Sequence, residues 1–416
     1  MKIKHVIIEN FRAIKRLDFD CSEKVNVFIG DNGAGKSTVL EALLVLCSWL
    51  NAKLPSSSSR GRSLGKEDIR VGADYCFLSI TVEHKGVSSA QWSLMRGVAP
   101  NNSQEKRTNM RELESFVSHI CEFNDNDRCL LSMYGVNRNI SSVSLDKRIY
   151  GRKTEKHNMI NTSARTSWKP FFNWFYEREN EENRMKARFS SQYHDESLDA
   201  IRECLKDVFP GYHNLRVEDR PTRLVIEKEG LEINFDRLSD GEKCYIALVL
   251  DIARCLSMQN DSQGSILDGE QIILIDELDL HLHPSWQLNM LSNLERKFPN
   301  CQFFVSSHSS LVLSSIGEED KLVVLRDGKQ VELSDIPFGD NGDYILKRFF
   351  GLSSVRNPKV QEEIDSISAE LVKDHPDTND VERKLNYLSE KGVQFEESVK
   401  MRLQLAQKKK MFHEKG

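Results

Sequence analysis

The stretch from Gly30 to Ser37 carries the residue types, at the spacing, that bind a chain of phosphates. It reads GDNGAGKS and fits the pattern GxxxxGK[ST], in which backbone N–H groups of a glycine-rich loop surround phosphate oxygens. In this pattern the lysine, here Lys36, reaches the β- and γ-phosphates, and the hydroxyl of Ser37 holds Mg²⁺. The residues that we predict to contact the nucleotide here are Gly30, Asn32, Gly33, Ala34, Gly35, Lys36, Ser37 and Thr38.

Two adjacent carboxylates, Asp276 and Glu277, directly follow the apolar run IILI. A phosphate loop needs a carboxylate at the end of a neighbouring strand to position Mg²⁺, and Asp276 stands where that group is expected. A second carboxylate beside it can polarise the water that attacks the γ-phosphate, so Glu277 is the predicted general base. The combination predicts an ATPase that uses ATP and Mg²⁺, with Lys36 and Glu277 among its catalytic residues.

The segments around these residues predict an α/β fold. VNVFI before the loop and TVLEALLVLCSWL after it predict a strand and a buried helix whose positive N-terminal end faces the phosphates. The run IILI lacks alternation, as expected of a parallel strand covered on both faces, and FFVSS is a similar run. Alternating segments that predict antiparallel strand pairs lie at 1–20, 76–95, 223–235 and 322–333.

Composition limits the class of protein. With 39% hydrophobic residues the chain can form real cores, and no apolar run approaches the ~20 residues that span a bilayer. Because the N-terminus alternates like a strand, we expect a cytoplasmic protein without membrane contact. Nine cysteines without a C-x-x-C pair argue against a disulfide framework and a structural zinc site. The net charge of −5 excludes a globally basic nucleic-acid binder but allows a local basic patch.

Several motifs together resemble the ABC-type ATPase heads of the SMC, RecF and OLD-like group. Asn10-Phe11-Arg12 resembles the NFR element that precedes Walker A in that group, and GDNGAGKS resembles its GxNGxGKS loop. LSDGE at 238–242 resembles the signature motif, 272–277 resembles Walker B, and SSHS at 306–309 resembles the switch-histidine loop. Asp279 resembles the D-loop aspartate. The resemblance covers residues 1 to about 350 apart from a central insertion.

This resemblance implies that two heads face each other, with each ATP between one phosphate loop and the partner's signature motif. The nucleotide would therefore bind in a homo-oligomer of ATP-sandwiched head dimers. A serine hydroxyl, a glycine N–H and a helix N-terminus together suit an anion, which agrees with this role for the signature. The residues that the resemblance adds to the nucleotide site are Arg12, Ser239, Gly241, Glu242, Asp279 and the γ-phosphate sensor His308. The Q-loop glutamine of the family has no assigned counterpart in this chain.

The motifs predict four parts of the chain. Residues 1–100 are expected to form the N-terminal part of the head with Walker A, and 101–221 a mostly helical insertion with a basic loop. Residues 222–356 are expected to complete the head with the signature, Walker B and switch histidine, and 357–416 to form a charged helical tail. The predicted fold is thus an ABC-type P-loop head with a mixed and parallel sheet core and N-terminal antiparallel strands.

Within this group the chain most resembles the ATPase subunits of Septu-type anti-phage systems, the PtuA-like proteins, including retron-associated ones. The stretches that carry this finer resemblance are YGVNR, FFNWF, LHPSW and GLSSVRNPKVQEEI. It implies an oligomeric ATPase whose nucleotide state controls a separate HNH nuclease, with a reverse transcriptase–msDNA module or other nucleic acid as a further partner. The spacing from Ser37 to Leu238 has no long heptad array and the tail has no DxD motif, which excludes an SMC coiled coil and a Toprim nuclease.

Several alternatives stay open from the sequence. The chain could be a RecF-like repair or recombination ATPase that binds DNA directly, or a scaffold that binds ATP almost without turnover. The basic stretch 137–165 is either a solvated loop or a nucleic-acid or partner surface. His281 and His283 are either structural or a metal pair. The tail stripes Ile364/Ile367/Leu371 and Phe395/Val399/Leu403 predict either docking to a partner or packing on the head.

Overall fold

The structure is a computed structural model of the 416-residue chain. It describes residues 1–53, 60–84, 86–98, 107–123, 130–136, 168–219, 222–259, 265–331, 337, 340, 342–352, 354–373, 375–393 and 397–413. The chain forms two compact units, the head (Met1–Ile345) and the tail (Leu346–Gly416). The basic stretch 137–165 lies outside the described residues, so the predictions for it stay predictions.

The head contains a ten-stranded sheet with the strand order β5-β4-β1-β2-β13-β12-β3-β11-β10-β6. Its strands are β1 (Lys2–Phe11), β2 (Ile14–Asp20), β3 (Val25–Gly30), β4 (Tyr75–His84), β5 (Val87–Gly97), β6 (Leu130–Tyr134), β10 (Gln271–Ile275), β11 (Gln302–Ser306), β12 (Lys321–Arg326) and β13 (Lys329–Val331). A second sheet has three antiparallel strands, β7 (Tyr212–Asp219), β8 (Thr222–Lys228) and β9 (Leu231–Asn234).

One half of the large sheet is parallel, and the other is antiparallel apart from the parallel pairing of β13 with β2. Strands β12, β3, β11, β10 and β6 are mutually parallel, and β3, β10 and β11 are buried along their whole length. The antiparallel pairings β1–β2, β4–β5, β8–β9 and β12–β13 confirm the four predicted strand pairs. Because β3, β11, β10 and β6 run in the same direction, their carboxyl ends meet at one edge of the sheet, where the predicted phosphate and carboxylate residues lie.

The helices of the head are α1 (Lys36–Lys53), α2 (Arg111–Phe123), α3 (Lys169–Arg188), α4 (Glu196–Val208), α5 (Asp240–Ser257), α6 (Pro284–Lys297) and α7 (Ser310–Ser314). Helix α8 (Gly342–Arg348) crosses from the head into the tail. The aromatic residues at the start of α3 form a packing face, since Trp168, the N-cap residue, stacks on Phe171 and Phe235 with ring centroids 4.4 Å and 5.4 Å away. Leu198 and Ile201 of α4 are buried, and Asp195 caps that helix.

The interval 101–221, which the sequence predicted to be mostly helical, also contributes strands to both sheets. Strand β6 joins the head sheet beside β10, with Tyr134 in register with Ile275. Strand β7 pairs with β8 and was missed by the sequence reasoning. The polar pattern of YHNLRVED conceals it, because Tyr212 and Leu215 are the two buried residues of this strand.

The tail contains α9 (Pro358–Val372), α10 (Thr378–Glu390) and α11 (Glu397–His413), which share a small core. The stripe Ile364/Ile367/Leu371 is buried in this core with Val381, Leu385, Leu388, Met401 and Leu405. Val399 and Leu403 of the second predicted stripe are 65% and 61% exposed and lie outside this core, so the prediction that the stripe docks to a partner or packs on the head stays a prediction. Met401 and Leu405, one helical turn apart on another face of α11, contribute to the core instead. Phe395 lies outside the described residues.

Candidate active site

The phosphate loop joins β3 to α1, and its glycines adopt backbone conformations that other residues avoid. Gly30, Gly33 and Gly35 have φ of 148°, 80° and 109°. A Cβ on Gly30 would lie 2.2 Å from the carbonyl oxygen of Leu325, and one on Gly35 would lie 2.4 Å from Cδ1 of Ile14. The loop therefore packs tightly between β12 and the turn that follows β1. Glycine is required at positions 30 and 35 because a side chain would clash there and because φ is positive.

Lys36 is folded back into this loop. Its Nζ donates to the carbonyl oxygens of Gly30 at 2.8 Å and Asp31 at 3.0 Å. Burial lowers the pKa of the Lys36 ammonium, and the nearby carboxylates of Asp276 and Glu277 oppose that shift. A buried cation held by neutral carbonyls is a suitable partner for a phosphate, whose charge would offset the cost of its burial.

Ser37 and Asp276, the two predicted Mg²⁺ ligands, are in direct contact. The Ser37 hydroxyl donates to Oδ1 of Asp276 at 3.0 Å, although the two residues are far apart in the sequence. A hydroxyl and a carboxylate oxygen beside a phosphate loop are the hard oxygen donors that Mg²⁺ uses. The arrangement of these residues fits the ion, and it joins Walker A to Walker B across the edge of the sheet.

Ser306, the last residue of β11, holds the Walker B pair, and sequence reasoning did not select it as a site residue. Its hydroxyl donates to Oδ1 of Asp276 at 2.6 Å and accepts from the backbone N–H of Glu277 at 2.7 Å. Glu277 has φ of 50°, a left-handed conformation that is uncommon outside glycine. Its place as the first residue of the predicted switch-histidine loop, 306–309, was the available signal.

Asp279 and the switch loop are bound to each other within the same chain. Oδ1 of Asp279 accepts from the Ser307 hydroxyl at 2.6 Å and from the backbone N–H of His308 at 3.2 Å. The Ser309 hydroxyl donates to Oε1 of Gln287 on α6 at 2.6 Å. The predicted D-loop aspartate therefore sets the position of the predicted γ-phosphate sensor, through its backbone.

The signature motif forms the N-terminus of α5. Ser239 is the N-cap residue and forms a capping box with Glu242, in which the Ser239 hydroxyl accepts from the Glu242 N–H at 3.3 Å. A Cβ on Gly241 would lie 2.1 Å from the carbonyl oxygen of His281. The signature therefore lies directly against the stretch that follows its own Walker B, and only glycine permits that approach.

Arg12 lies at the turn after β1 with φ of 47°. Its guanidinium forms ion pairs with Glu41 of α1 and with the buried Asp68, and its Nε is 2.9 Å from Oδ1 of Asp68. Glu41 is one helical turn beyond Ser37, so Arg12 is anchored next to the start of α1. The prediction that it contacts the nucleotide phosphates stays a prediction.

His281 and His283 were open between a structural and a metal-binding role. His283 is the N-cap of α6, and its Nδ1 lies 3.3 Å from the backbone N–H of Ser285, which donates to it. Within the described parts of the chain, the three residues that bring potential metal-ligand atoms together are Glu182, His194 and Asp199, and neither His281 nor His283 is among them. These contacts favour the structural role for His283.

A phosphate loop whose serine meets a Walker B aspartate, on a mixed sheet that also carries a signature helix, defines a P-loop ATPase head of the ABC type. The profile of a family described as AAA domain matches residues 5–219. A second, described as AAA domain, putative AbiEii toxin, Type IV TA system, matches residues 137–314. The chain belongs to the AAA domain family, and it is an ATPase that binds ATP.

Relatives of the chain align over most of its length. It is 26% identical to the retron Ec83 probable ATPase of Escherichia coli, covering 84% of this chain and 76% of the relative. It is 23% identical to the Septu protein PtuA of Bacillus thuringiensis, covering 89% of each. A solved SMC head domain from Thermotoga maritima is similar at 14% identity, with a TM-score of 0.43 over 80% of this chain and 100% of that chain. The resemblance to retron and Septu ATPases is thereby confirmed.

In the described part of the chain, every helix is too short or too polar to span a membrane.

Proposed function

We propose that this chain is the ATPase subunit of an anti-phage defence complex of the Septu or retron type, in which its nucleotide state controls a separate HNH nuclease. The observation that carries the proposal is the alignment of a retron ATPase and a Septu PtuA protein over 84% and 89% of the chain. Alignment over this much of the chain favours this assignment over one that rests on the phosphate loop alone.

The hydrolytic step follows from the geometry of the Walker B pair. Mg²⁺ bound at Ser37 and Asp276 would neutralise charge on the β- and γ-phosphates. Lys36 would leave its loop carbonyls for the phosphate oxygens, and Glu277 would take a proton from the attacking water. The bond between the γ-phosphorus and the bridging oxygen breaks, which gives ADP and phosphate. The hydrogen bond from the backbone N–H of Glu277 to the Ser306 hydroxyl orients this base.

The second element of the proposal is a pair of heads with ATP between them. Ser239 and Gly241 lie at the N-terminus of the 18-residue helix α5, a place that favours an anion. Two copies facing each other would bring this end of one chain to the γ-phosphate bound by the other, with His308 of the ATP-bound head also sensing it. Asp279 supports that role because it holds the His308 backbone.

The experiment is copurification and phage challenge with the protein in its own operon. The tagged chain is expressed together with its neighbouring genes, and the complex is purified with and without ATP. We expect an HNH nuclease to copurify with wild type, and protection against phage to be lost in Lys36→Ala. Lys24→Ala is the matched control, because Lys24 is an exposed lysine that pairs with Glu319 away from the site.

The outcome also separates the competing functions. A chain that retains no HNH nuclease and hydrolyses ATP faster when DNA is added would be a RecF-like ATPase. A chain that binds ATP but shows the same negligible turnover as Glu277→Gln would be an ATP-binding scaffold. The first result contradicts the proposed control of a nuclease, and the second contradicts the proposed hydrolysis.

A further inference from the structure

The carboxylate of Glu242 in the signature motif is surrounded by four hydrogen-bond donors. Oε2 accepts from the Ser239 N–H at 2.8 Å and from the Ser239 hydroxyl at 2.6 Å. Oε1 accepts from the hydroxyl of Tyr212 and from Nζ of Lys228, both at 2.5 Å. Tyr212 lies on β7 and Lys228 on β8, so the three-stranded sheet binds the signature motif through the Glu242 side chain.

The Ser239 hydroxyl cannot serve Glu242 and a phosphate with the same proton. A serine hydroxyl has one hydrogen, and here it is donated to Glu242. To donate to the γ-phosphate in the partner's site, this hydroxyl must turn away from the carboxylate. Glu242 would then depend on the Ser239 N–H and on the two donors from the small sheet, Tyr212 and Lys228.

Glu242 is also a negative charge on the first turn of the helix that is to receive the phosphate. Burial raises the pKa of its carboxyl, but hydrogen bonds from Lys228, Ser239 and Tyr212 outweigh burial and lower the pKa to about 2. The group is therefore ionised at neutral pH. Lys228 is the cation in contact with it, and its ammonium also lies 5.5 Å from the centre of the Tyr212 ring. Without this cation, the carboxylate would repel an approaching phosphate.

We propose that Tyr212 and Lys228 are positioning residues for ATP hydrolysis, which hold and neutralise Glu242 so that Ser239 can bind the γ-phosphate of the partner subunit. The proposal rests on the head pair proposed above. It assigns the small sheet β7–β9 a role in the nucleotide sandwich, in addition to its role in packing. Both residues hydrogen-bond to Glu242, and the proposed role of each is exerted through that carboxylate.

The test compares single and double variants of the full chain. In Lys228→Met we expect kcat and ATP-driven self-association to fall about tenfold, as for the loss of one charged partner of a hydrogen-bonded pair. ATP affinity of the separate subunit should stay at the wild-type value, because the signature serves the partner's site. Tyr212→Phe, which keeps the ring, should lose about threefold. Lys228→Arg should keep most of the activity.

The decisive variant combines Lys228→Met with Glu242→Gln. Glutamine needs no counter-charge, so the double variant should recover most of the turnover that Lys228→Met loses. Arg223→Met is the matched control, since Arg223 is a cation on the same strand that pairs with Glu218 instead. Equal melting temperatures establish that the variants fold, and Lys228→Gln replaces Lys228→Met if the latter does not.

Two results overturn this proposal. Lys228→Met with wild-type kcat and self-association would show that the cation is not needed. A double variant as impaired as Lys228→Met would show that Lys228 acts otherwise than by neutralising Glu242. If wild type and Glu277→Gln both stay monomeric with ATP, the proposed head pair does not form. The proposed role of Tyr212 and Lys228, which depends on that pair, then fails with it.

Discussion

Replacing Ser306 by alanine should reduce turnover far more than it reduces ATP binding. The side chain is fully buried and joins Asp276 to the backbone of Glu277 by bonds of 2.6 Å and 2.7 Å. The lost donation to a charged group is worth about 1.5–3 kcal/mol, and the stranded N–H of Glu277 costs about 1 kcal/mol more. We expect the free energy of unfolding to fall by about 3 kcal/mol, allowing for partial relaxation.

The effect on catalysis comes from Glu277. Its left-handed backbone costs about 1–2 kcal/mol, so without the anchor at Ser306 the chain can relax and move the base away from the attacking water. A misplacement worth about 1.4 kcal/mol lowers kcat about tenfold, which sets the minimum effect expected.

The assay for Ser306→Ala combines urea unfolding, steady-state ATP hydrolysis and titration with a fluorescent ATP analogue. Ser79→Ala is the matched control, because Ser79 is a buried serine of β4 whose hydroxyl bonds to the Trp92 carbonyl. It should lose about 1 kcal/mol of stability and no activity. Wild-type kcat in a Ser306→Ala protein that has lost stability would refute the reasoning, since Ser306 would then only support the fold.

Three further predictions concern the nucleotide site and the tail. Lys36→Ala should abolish ATP binding, whereas Glu277→Gln should bind ATP normally and hydrolyse it at least about a hundredfold more slowly, as measured by calorimetry and phosphate release; equal affinity of Lys36→Ala and wild type would contradict the loop assignment. Ser239→Arg should lose hydrolysis but retain ATP binding by the single subunit, and full turnover by strictly monomeric wild type would contradict the sandwich. Deleting 357–416, whose helices α9–α11 share a core of their own, should leave a soluble ATPase that no longer copurifies with the nuclease, and aggregation or full retention of partners would argue against docking.

The central fold was predictable because its signals are local. Uninterrupted apolar runs predicted β3, β10 and β11, and the alternating pairs predicted the antiparallel strands, since burial on two faces or one leaves different periodicities. Strand β7 escaped because it buries only Tyr212 and Leu215 and its other residues are polar. Which pair of α11 joins the tail core could not be predicted, because Val399/Leu403 and Met401/Leu405 have the same spacing, and packing with α9 and α10 selects the second pair.

The candidate site also has a part that could be predicted from the sequence and a part that could not. The contact between Ser37 and Asp276 was predictable, because a phosphate loop and a strand-end carboxylate can be recognised separately and must meet at one sheet edge. The roles of Ser306, Tyr212 and Lys228 were not, because hydroxyl and amino groups of this kind occur throughout the chain. The roles of these three residues depend on hydrogen bonds between residues that are distant in sequence, which no local sequence pattern predicts.

The close contact between Gly241 and the His281 carbonyl has a consequence for a pair of heads. In each subunit of the proposed pair, the signature motif that would contact the partner's ATP packs directly on the stretch that follows its own Walker B, with no side chain between them. A shift of the main chain at 277–281 after hydrolysis would therefore displace the signature motif that contacts the other nucleotide. The two ATP molecules would then be thermodynamically linked, each changing the affinity for the other by the same factor. The conformation of such a pair would therefore differ between the state with two bound ATP molecules and the state with one.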